Sequence, residues 1–419
     1  MRTILQKREL RLVFAANVVS MLGSGMNSAA VTWFILQATH SEVALGTLVV
    51  LQTIPAVLML PFTGVIIDRE DRRHLLMWLD AIRGVIILAI ALLAFAGRVH
   101  LWQLYAMAML VAAGFWMFWP TITALIQELT PEAQFVHANT FLLAGVQGGW
   151  LIAGSIVGFV YNHIGLGGVL LIDFATYAVS LGCYFAIRKG KHLVKRPAGA
   201  HPAVEAAETA FARYWHELGE GIRYLHGRRY VVLLGISWAL FIGAMMTQGV
   251  VSAPLSDRVL HAGPVGYGWL NAAWGSGAFL SALYAPLVIA KLKARPAVAV
   301  AMALLSASIF CAPFSRFLAI AVALYLIMGS ARGVGGIAIS SSMMEHVPPH
   351  FMGRVQNTFF FIGTTLQLAL GPLVGAIAHR LGLAYAFSIV GGLYAIAFLT
   401  ATWPADARPV VISEAAASK

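Results

Sequence analysis

Apolar runs of about twenty residues recur along the whole chain, separated by short polar connections. Crossing a hydrocarbon layer about 30 Å thick takes about 20 residues in helical form. Twelve runs meet or approach that length: 11–38, 43–67, 75–96, 101–127, 137–162, 166–187, 230–255, 264–289, 297–313, 317–344, 355–379 and 383–403. The ninth is short, and Pro313 closes it. The pattern predicts an all-α membrane protein with twelve transmembrane helices. The first run is too long for the apolar core of a signal peptide and no small-residue cleavage site follows it, so no cleavable leader is expected.

The rhythm breaks once, over the 42 residues from Arg188 to Arg229. A basic stretch (Arg188, Lys189, Lys191, Lys195, Arg196) leads into a segment rich in Pro, Ala and Gly that ends at Pro202. Phe211, Trp215, Leu218, Ile222 and Leu225 then recur at steps of four, three, four and three, with Glu205, Glu208, Arg213, Glu217, Glu220 and Arg223 on other faces. This spacing predicts an amphipathic helix lying on the membrane surface. The expected divisions are a six-helix bundle over 1–187, a linker over 188–229, a second six-helix bundle over 230–405 and a tail over 406–419.

The two sets of six spans echo each other. Pro131 and Pro348 are 217 residues apart, as are Gly154 and Gly371, Val157 and Val374, Gly158 and Gly375, Gly165 and Gly382, and Leu166 and Leu383. Asn139-Thr140-Phe141 matches Asn357-Thr358-Phe359 with a shift of one. One offset of about half the chain implies a duplicated six-helix unit in the same orientation, an arrangement that places a binding site near the midplane between halves.

Composition agrees with the pattern: 60% of the 419 residues are hydrophobic and 11% are charged, against about 25% charged in soluble domains. A net charge of +11 invites a nucleic-acid reading, but its placement argues against one. Twenty-two of the 28 Lys and Arg lie at the termini or in even-numbered connections, and odd-numbered connections hold only Arg98, Arg258, Arg316 and Arg380. This is the positive-inside asymmetry, so both termini are expected in the cytoplasm, with the chain in the plasma membrane. Cys183 and Cys311 both fall within spans, which disfavours a disulfide framework.

The most distinctive ten residues run from Gly64 to Arg73. Asp68, Arg69, Glu70, Asp71, Arg72 and Arg73 sit between two apolar runs, where only a short loop at the water boundary can hold them cheaply. Asp80 and Arg83 follow three apart in the third span, and Val347-Pro348 with Gly353-Arg354-Val355 occupies the tenth connection. With these motifs the chain resembles the major facilitator superfamily over essentially its whole length, and within it the drug and siderophore efflux branch. It departs from the usual pattern at Asp71, where glycine is common, at Gly23-Ser24-Gly25, which lacks an intervening Asp, and at Gly154-Ser155, where an antiporter has Gly-Pro.

The resemblance implies a cytoplasmic gate built from Gly64, Asp68, Arg69, Arg72 and Arg73, with Asp68 at the N-terminus of helix 11 and Arg72 paired with Glu128. Glu345, at the end of span 10, is grouped with this gate. Asp80 and Arg83 are close enough on one helix face to neutralise each other, either as an internal ion pair or as part of the gate. Arg332, mid-span among glycines, is a cation for an anionic substrate group or for an acid on another helix. Asp173 is the deepest carboxylate, suited to a structural hydrogen bond or to proton coupling. The resemblance implies a cavity lined by spans 1, 4, 7 and 10, with Asn17, Asn27, Trp116, Trp119, Trp238 and Gln248 as candidates. Neighbouring spans offer Gln52, Gln147, Asn271, Trp274 and Gln367.

No phosphate-binding glycine loop, metal-ligand spacing or nucleophile elbow is present, so no catalysis, cofactor or metal is expected. The expected function is alternating-access export of an amphipathic organic compound, drug-like or siderophore-like, by proton antiport. The expected partners are a small-molecule substrate and membrane lipids, with the protein acting as a monomer. Two alternatives stay open: a carrier of an anionic metabolite or lipid held by Arg332, and a sensor or scaffold that keeps the fold without transport.

Overall fold

A computed structural model of the chain describes residues 7–130, 135–187 and 203–404. The helices are α1 Arg8–Thr39, α2 Glu42–Arg69, α3 Arg72–Phe95, α4 Leu101–Leu129, α5 Phe135–Ala186, α6 Ala203–Leu225, α7 Arg229–Pro254, α8 Gly263–Leu292, α9 Ala294–Cys311, α10 Leu318–His346, α11 Pro349–Arg380 and α12 Leu383–Thr402. A π-helical turn, Leu255–Val259, extends α7, and a 3₁₀ turn, Ala312–Phe314, extends α9. Among the described residues there is no strand, and eleven helical segments are long and apolar enough to cross a membrane. This is an integral membrane protein of all-α class.

Helix α5 accounts for two of the expected crossings. Its 52 residues would run about 78 Å at 1.5 Å each, more than twice a hydrocarbon layer. The chain reverses inside it at Gly165, whose φ of 62° and ψ of −170° are not helical. Gly382, 217 residues on, stands before α12 with φ 106°. Side chains resist positive φ and glycine does not, so both halves turn at the same point by the same means. Helix α11 starts earlier than the apolar run suggests. Pro348 is extended (φ −58°, ψ 146°) and Pro349 opens the helix, a position where its missing N–H costs nothing.

Helices α1–α5 form one bundle and α7–α12 the other, and the bundles meet along two seams, α2 with α11 and α5 with α8. Both seams are built on the repeated glycines. A Cβ added at Gly371 would lie 3.1 Å from the Gly46 carbonyl oxygen, and one at Gly375 only 2.5 Å from that of Glu42. At the other seam a Cβ on Gly158 would stand 2.7 Å from Gly268 Cα, and one on Gly154 2.7 Å from Asn271 Cβ. In lipid no hydrophobic force draws helices together, so close backbone approach at small residues supplies much of the attraction.

Both seams lie toward the face that carries the α1–α2, α7–α8 and α11–α12 turns, the opposite face to that of the Arg-rich α2–α3 loop. At this basic face helix α6 packs on both α2 and α11. Phe211 stacks on Phe62 with centroids 6.5 Å apart, Trp215 meets Phe361 edge-on at 5.6 Å, and Tyr224 stacks on Phe351 at 4.4 Å. Arg354 Nε lies 3.2 Å from Glu220 Oε2. The apolar stripe expected of this helix divides: Leu218 and Leu225 are buried, whereas Phe211, Trp215 and Ile222 line its exposed edge. Tyr214 and Tyr224 complete the buried face instead.

Overpacking a seam should therefore open it. Gly158→Leu is expected to cost about 1–3 kcal/mol of seam closure. With Cys183 and Cys311 replaced by alanine and a single cysteine at Ser28, alkylation by a membrane-impermeant maleimide from the opposite face should rise at least several-fold. Gly182→Leu, where an added Cβ meets nothing within 4 Å, should leave the rate unchanged.

Candidate functional site

The basic loop is organised by local chemistry. The Asp71 carboxylate caps α3, accepting from the backbone N–H of Arg73 at 3.0 Å and of His74 at 3.2 Å. That satisfies two orphan helix donors and accounts for an acid at this position. Arg72 pairs with Glu128 and donates to the Ala124 carbonyl at 3.3 Å. Arg73 donates to the carbonyls of Tyr184 (2.7 Å) and Phe185 (2.9 Å) at the end of α5. The arginine bonds tie α3 to α4 and α5 within one bundle, and none of them crosses to the other. Glu345 is exposed at the end of α10. The surroundings of Gly64 and the side chains of Asp68, Arg69 and Gln147 lie outside what the structure describes.

Deeper in the same bundle, a polar network joins three helices. Asp80 and Arg83, both buried, form an ion pair, and Ser180 Oγ donates to Asp80 Oδ2 at 2.6 Å. Gly114 leaves the room that Arg83 fills: a Cβ there would lie 2.7 Å from Arg83 Cδ. The guanidinium sits 4.8 Å from the Phe118 ring centre and 4.7 Å from that of Tyr177. Asn27 Nδ2 donates to Asp173 Oδ2 at 2.7 Å, and Ser24 shares a 2.9 Å hydrogen bond with the Tyr177 hydroxyl. Asp80 thus has a cation, whereas Asp173, fully buried, meets the neutral donors Asn27 and Thr176 (3.4 Å).

At the opposite face the bundles are held by charge. Glu42, at the start of α2, has only 1% of its side chain exposed. Arg258 Nη1, in the turn after α7, lies 2.5 Å from Glu42 Oε1, and His379 Nδ1, at the end of α11, lies 3.3 Å from Oε2. Arg258 Nη2 also donates to the His40 carbonyl at 2.7 Å. A little further in, Gln367 Nε2 donates to Thr53 Oγ1 at 2.6 Å across the same seam. Every one of these contacts links one bundle to the other.

Between the bundles lies a cavity of about 70 Å³ lined by Gly25, Ser28, Ala29, Gly154, Tyr267, Asn271, Trp274, Gly275, Ala278 and Arg332. Its walls come from α1, α5, α8 and α10, whereas the expected lining was spans 1, 4, 7 and 10. Arg332 stands fourteen residues from each end of α10, about 21 Å of helix either way. Its guanidinium lies 4.6 Å from the Trp274 ring centre, and Nε contacts Met245 Sδ at 2.9 Å.

Of the candidate substrate residues, Asn271, Trp274 and Arg332 line this cavity. Asn27 turns to Asp173 and Gln367 to Thr53. Gln248 Nε2 contacts Met328 Sδ at 3.7 Å. Trp116 meets Phe360 of the other bundle at 5.6 Å, while Trp119 and Trp238 pack against the apolar cores. Asn17 is buried in α1 with no hydrogen-bond partner among the described residues, and Gln52 is half-buried on α2. Sequence reasoning passed over Glu42, Arg258 and His379. The one signal present was Glu42, an acid alone in a short connection, whereas Arg258 sits beside Asp257 and reads as half of a local charge pair.

Comparisons with known proteins agree with this architecture. The family model described as Major Facilitator Superfamily matches residues 13–364. Macrolide efflux protein A of Streptococcus pyogenes is 21% identical over 393 residues, covering 92% of this chain and 93% of that protein. The multidrug efflux pump Tap of Mycolicibacterium fortuitum is 23% identical, covering 89% and 90%. MFS-type transporter YkuC of Bacillus subtilis is 24% identical, covering 87% and 85%. Among solved structures, the nucleoside transporter NupG superposes with a TM-score of 0.72 at 13% identity, covering 94% of this chain and 99% of that one.

Removing the buried carboxylate should release the opposite face. Arg258 is partly in water, so the lock is worth less than a fully buried pair, about 1–3 kcal/mol. Glu42→Gln and Arg258→Gln are each expected to raise maleimide access to a cysteine at Ser28 about tenfold. The double variant should add little to either, since both remove one interaction.

Proposed function

The chain belongs to the Major Facilitator Superfamily, and on that premise we propose that it exports an amphipathic organic compound, drug-like or siderophore-like, from the cytoplasm by alternating access. The observation that carries this reading is the position of the Arg332 cavity. It lies at mid-helix depth on one of the two seams between bundles, so rocking one bundle against the other opens or closes it. Sites at that depth between parallel repeats are a transporter arrangement. Similarity to two efflux proteins along about nine-tenths of their length supports the outward direction.

The basic face is cytoplasmic, by the distribution of Lys and Arg. The Glu42 lock then holds the periplasmic side shut in this arrangement. Closure of the cytoplasmic side brings the α2–α3 loop, with Asp68 and Arg69, toward the start of α11 and displaces α6 from its place against α2 and α11. Arg72, Arg73, Asp80, Arg83 and Glu128 hold α3, α4 and α5 as one rigid body during that movement. Asp173 carries the coupling proton, because its direct hydrogen-bond partners are the neutral Asn27 and Thr176, and the cation of the network, Arg83, is paired with Asp80. The protein works as a monomer, with both termini in the cytoplasm.

Reconstitution into proteoliposomes tests this directly, with a panel of macrolides, siderophores and lipophilic cations as cargo and an imposed pH gradient. Transport should follow the gradient and collapse with a protonophore. Asp173→Asn should remove the gradient dependence while the protein stays folded, and Asp68→Asn should lower transport at least tenfold. Transport indifferent to the gradient in the unaltered protein would contradict antiport.

A further inference from the structure

Arg332 is a cation without a counter-charge among the described residues. An arginine side chain keeps its proton in proteins, so its charge at mid-membrane depth must be balanced or solvated. Among the described residues no carboxylate lies within ion-pair distance of it. The acids outside the described side chains are Asp68 at the end of α2, Glu132 in a connection, Glu205 and Glu208 in the first turns of α6, and Asp406 and Glu414 in the tail. The two deep acids, Asp80 and Asp173, are engaged in the first bundle.

The surroundings of Arg332 leave one part of it free. Trp274 covers the guanidinium face and Met245 takes Nε. Neither Nη donates to a described residue, and Arg332 lines the cavity beside Ser28, Tyr267 and Asn271. Two parallel Nη donors are the geometry that receives a planar carboxylate bidentately. At about 70 Å³ the space is well below the roughly 300–1,000 Å³ of pockets that hold drug-sized ligands. That is room for a charged head and not for a whole drug-sized molecule. An apolar body would extend between the bundles, past Ala29 and Ala278.

Resting on the transport reading, we propose that the Arg332 cavity receives the carboxylate of an amphipathic organic acid, so that the preferred cargo is an organic anion and not a lipophilic cation. The test uses three probes with one body: 4-phenylbutyrate, its methyl ester and 4-phenylbutylamine. Binding to the purified protein in nanodiscs is measured by equilibrium dialysis, and transport in proteoliposomes. The unaltered protein should bind the acid at least tenfold more tightly than the ester or the amine. Arg332→Gln should erase that preference and leave ester binding within about twofold, while Arg332→Lys should keep part of it. Equal or weaker binding of the acid in the unaltered protein would overturn the proposal, as would a preference that survives in Arg332→Gln. Transport of the amine and ester without the acid would overturn it while export stands. Carriage of none of these probes, nor of macrolides, would count against both.

Discussion

Close backbone approach at two glycine-built seams is the constraint on which the rest of the structure depends. Lipid tails are as apolar as the helices they surround, so the bundles gain nothing from merely sharing an apolar surface. They gain dispersion contacts only where side chains are small enough to let backbones meet. Gly154 and Gly158 face α8, and Gly371 and Gly375 face α2. Because these pairs are copies of one another at an offset of 217 residues, the two seams are the same contact made twice. A symmetric pair of small contacts forms a pivot more readily than a single broad interface, since neither seam need be destroyed for the bundles to rotate.

Charge is distributed around that pivot with economy. At one end Glu42 is held by Arg258 and His379 from the other bundle, a contact that ties the two bundles together at that end. At the other end, Arg72 and Arg73 bind inside their own bundle, and the interposed helix α6 joins α2 to α11. Among the described residues, Arg332 in the second bundle has no carboxylate partner, and Asp173 in the first is bonded only by neutral donors, with Arg83 acting on it from beyond ion-pair distance. A structural role would be served better by a matched pair, as Asp80 and Arg83 illustrate a few residues away. Unmatched charges suit groups whose partners come and go, and the proposed proton and carboxylate are partners of that kind.

Much of this was legible in the sequence, and the limits have physical causes. The twelve crossings follow from apolar run length, which the bilayer sets. Asp80–Arg83 follows from a three-residue spacing on one helix, and the Gly165 and Gly382 turns from their common offset. The purpose of Gly154 and Gly371 was not legible, because each glycine answers to a helix in the other half of the chain. Asn27 and Gln367 stood out as amides in apolar runs, yet their partners, Asp173 and Thr53, are 146 and 314 residues away. Glu42 follows Ser41 in a short turn and reads as a solvated charge, and only the meeting of α2, α7 and α11 buries it. The α6 stripe misled in part because its spacing defines an apolar face without saying which edge meets the protein.

The central claim is that the two ends of the inter-bundle space open in alternation. Paired spin labels measure this directly, one pair at Arg98 and Arg316 on the Glu42 side and another at Arg8 and Lys291 on the basic side, with native cysteines replaced. Adding a transported compound and a pH gradient should lengthen the first distance and shorten the second in the same fraction of molecules. Distances that stay fixed, or that lengthen together, would contradict alternating access about these seams.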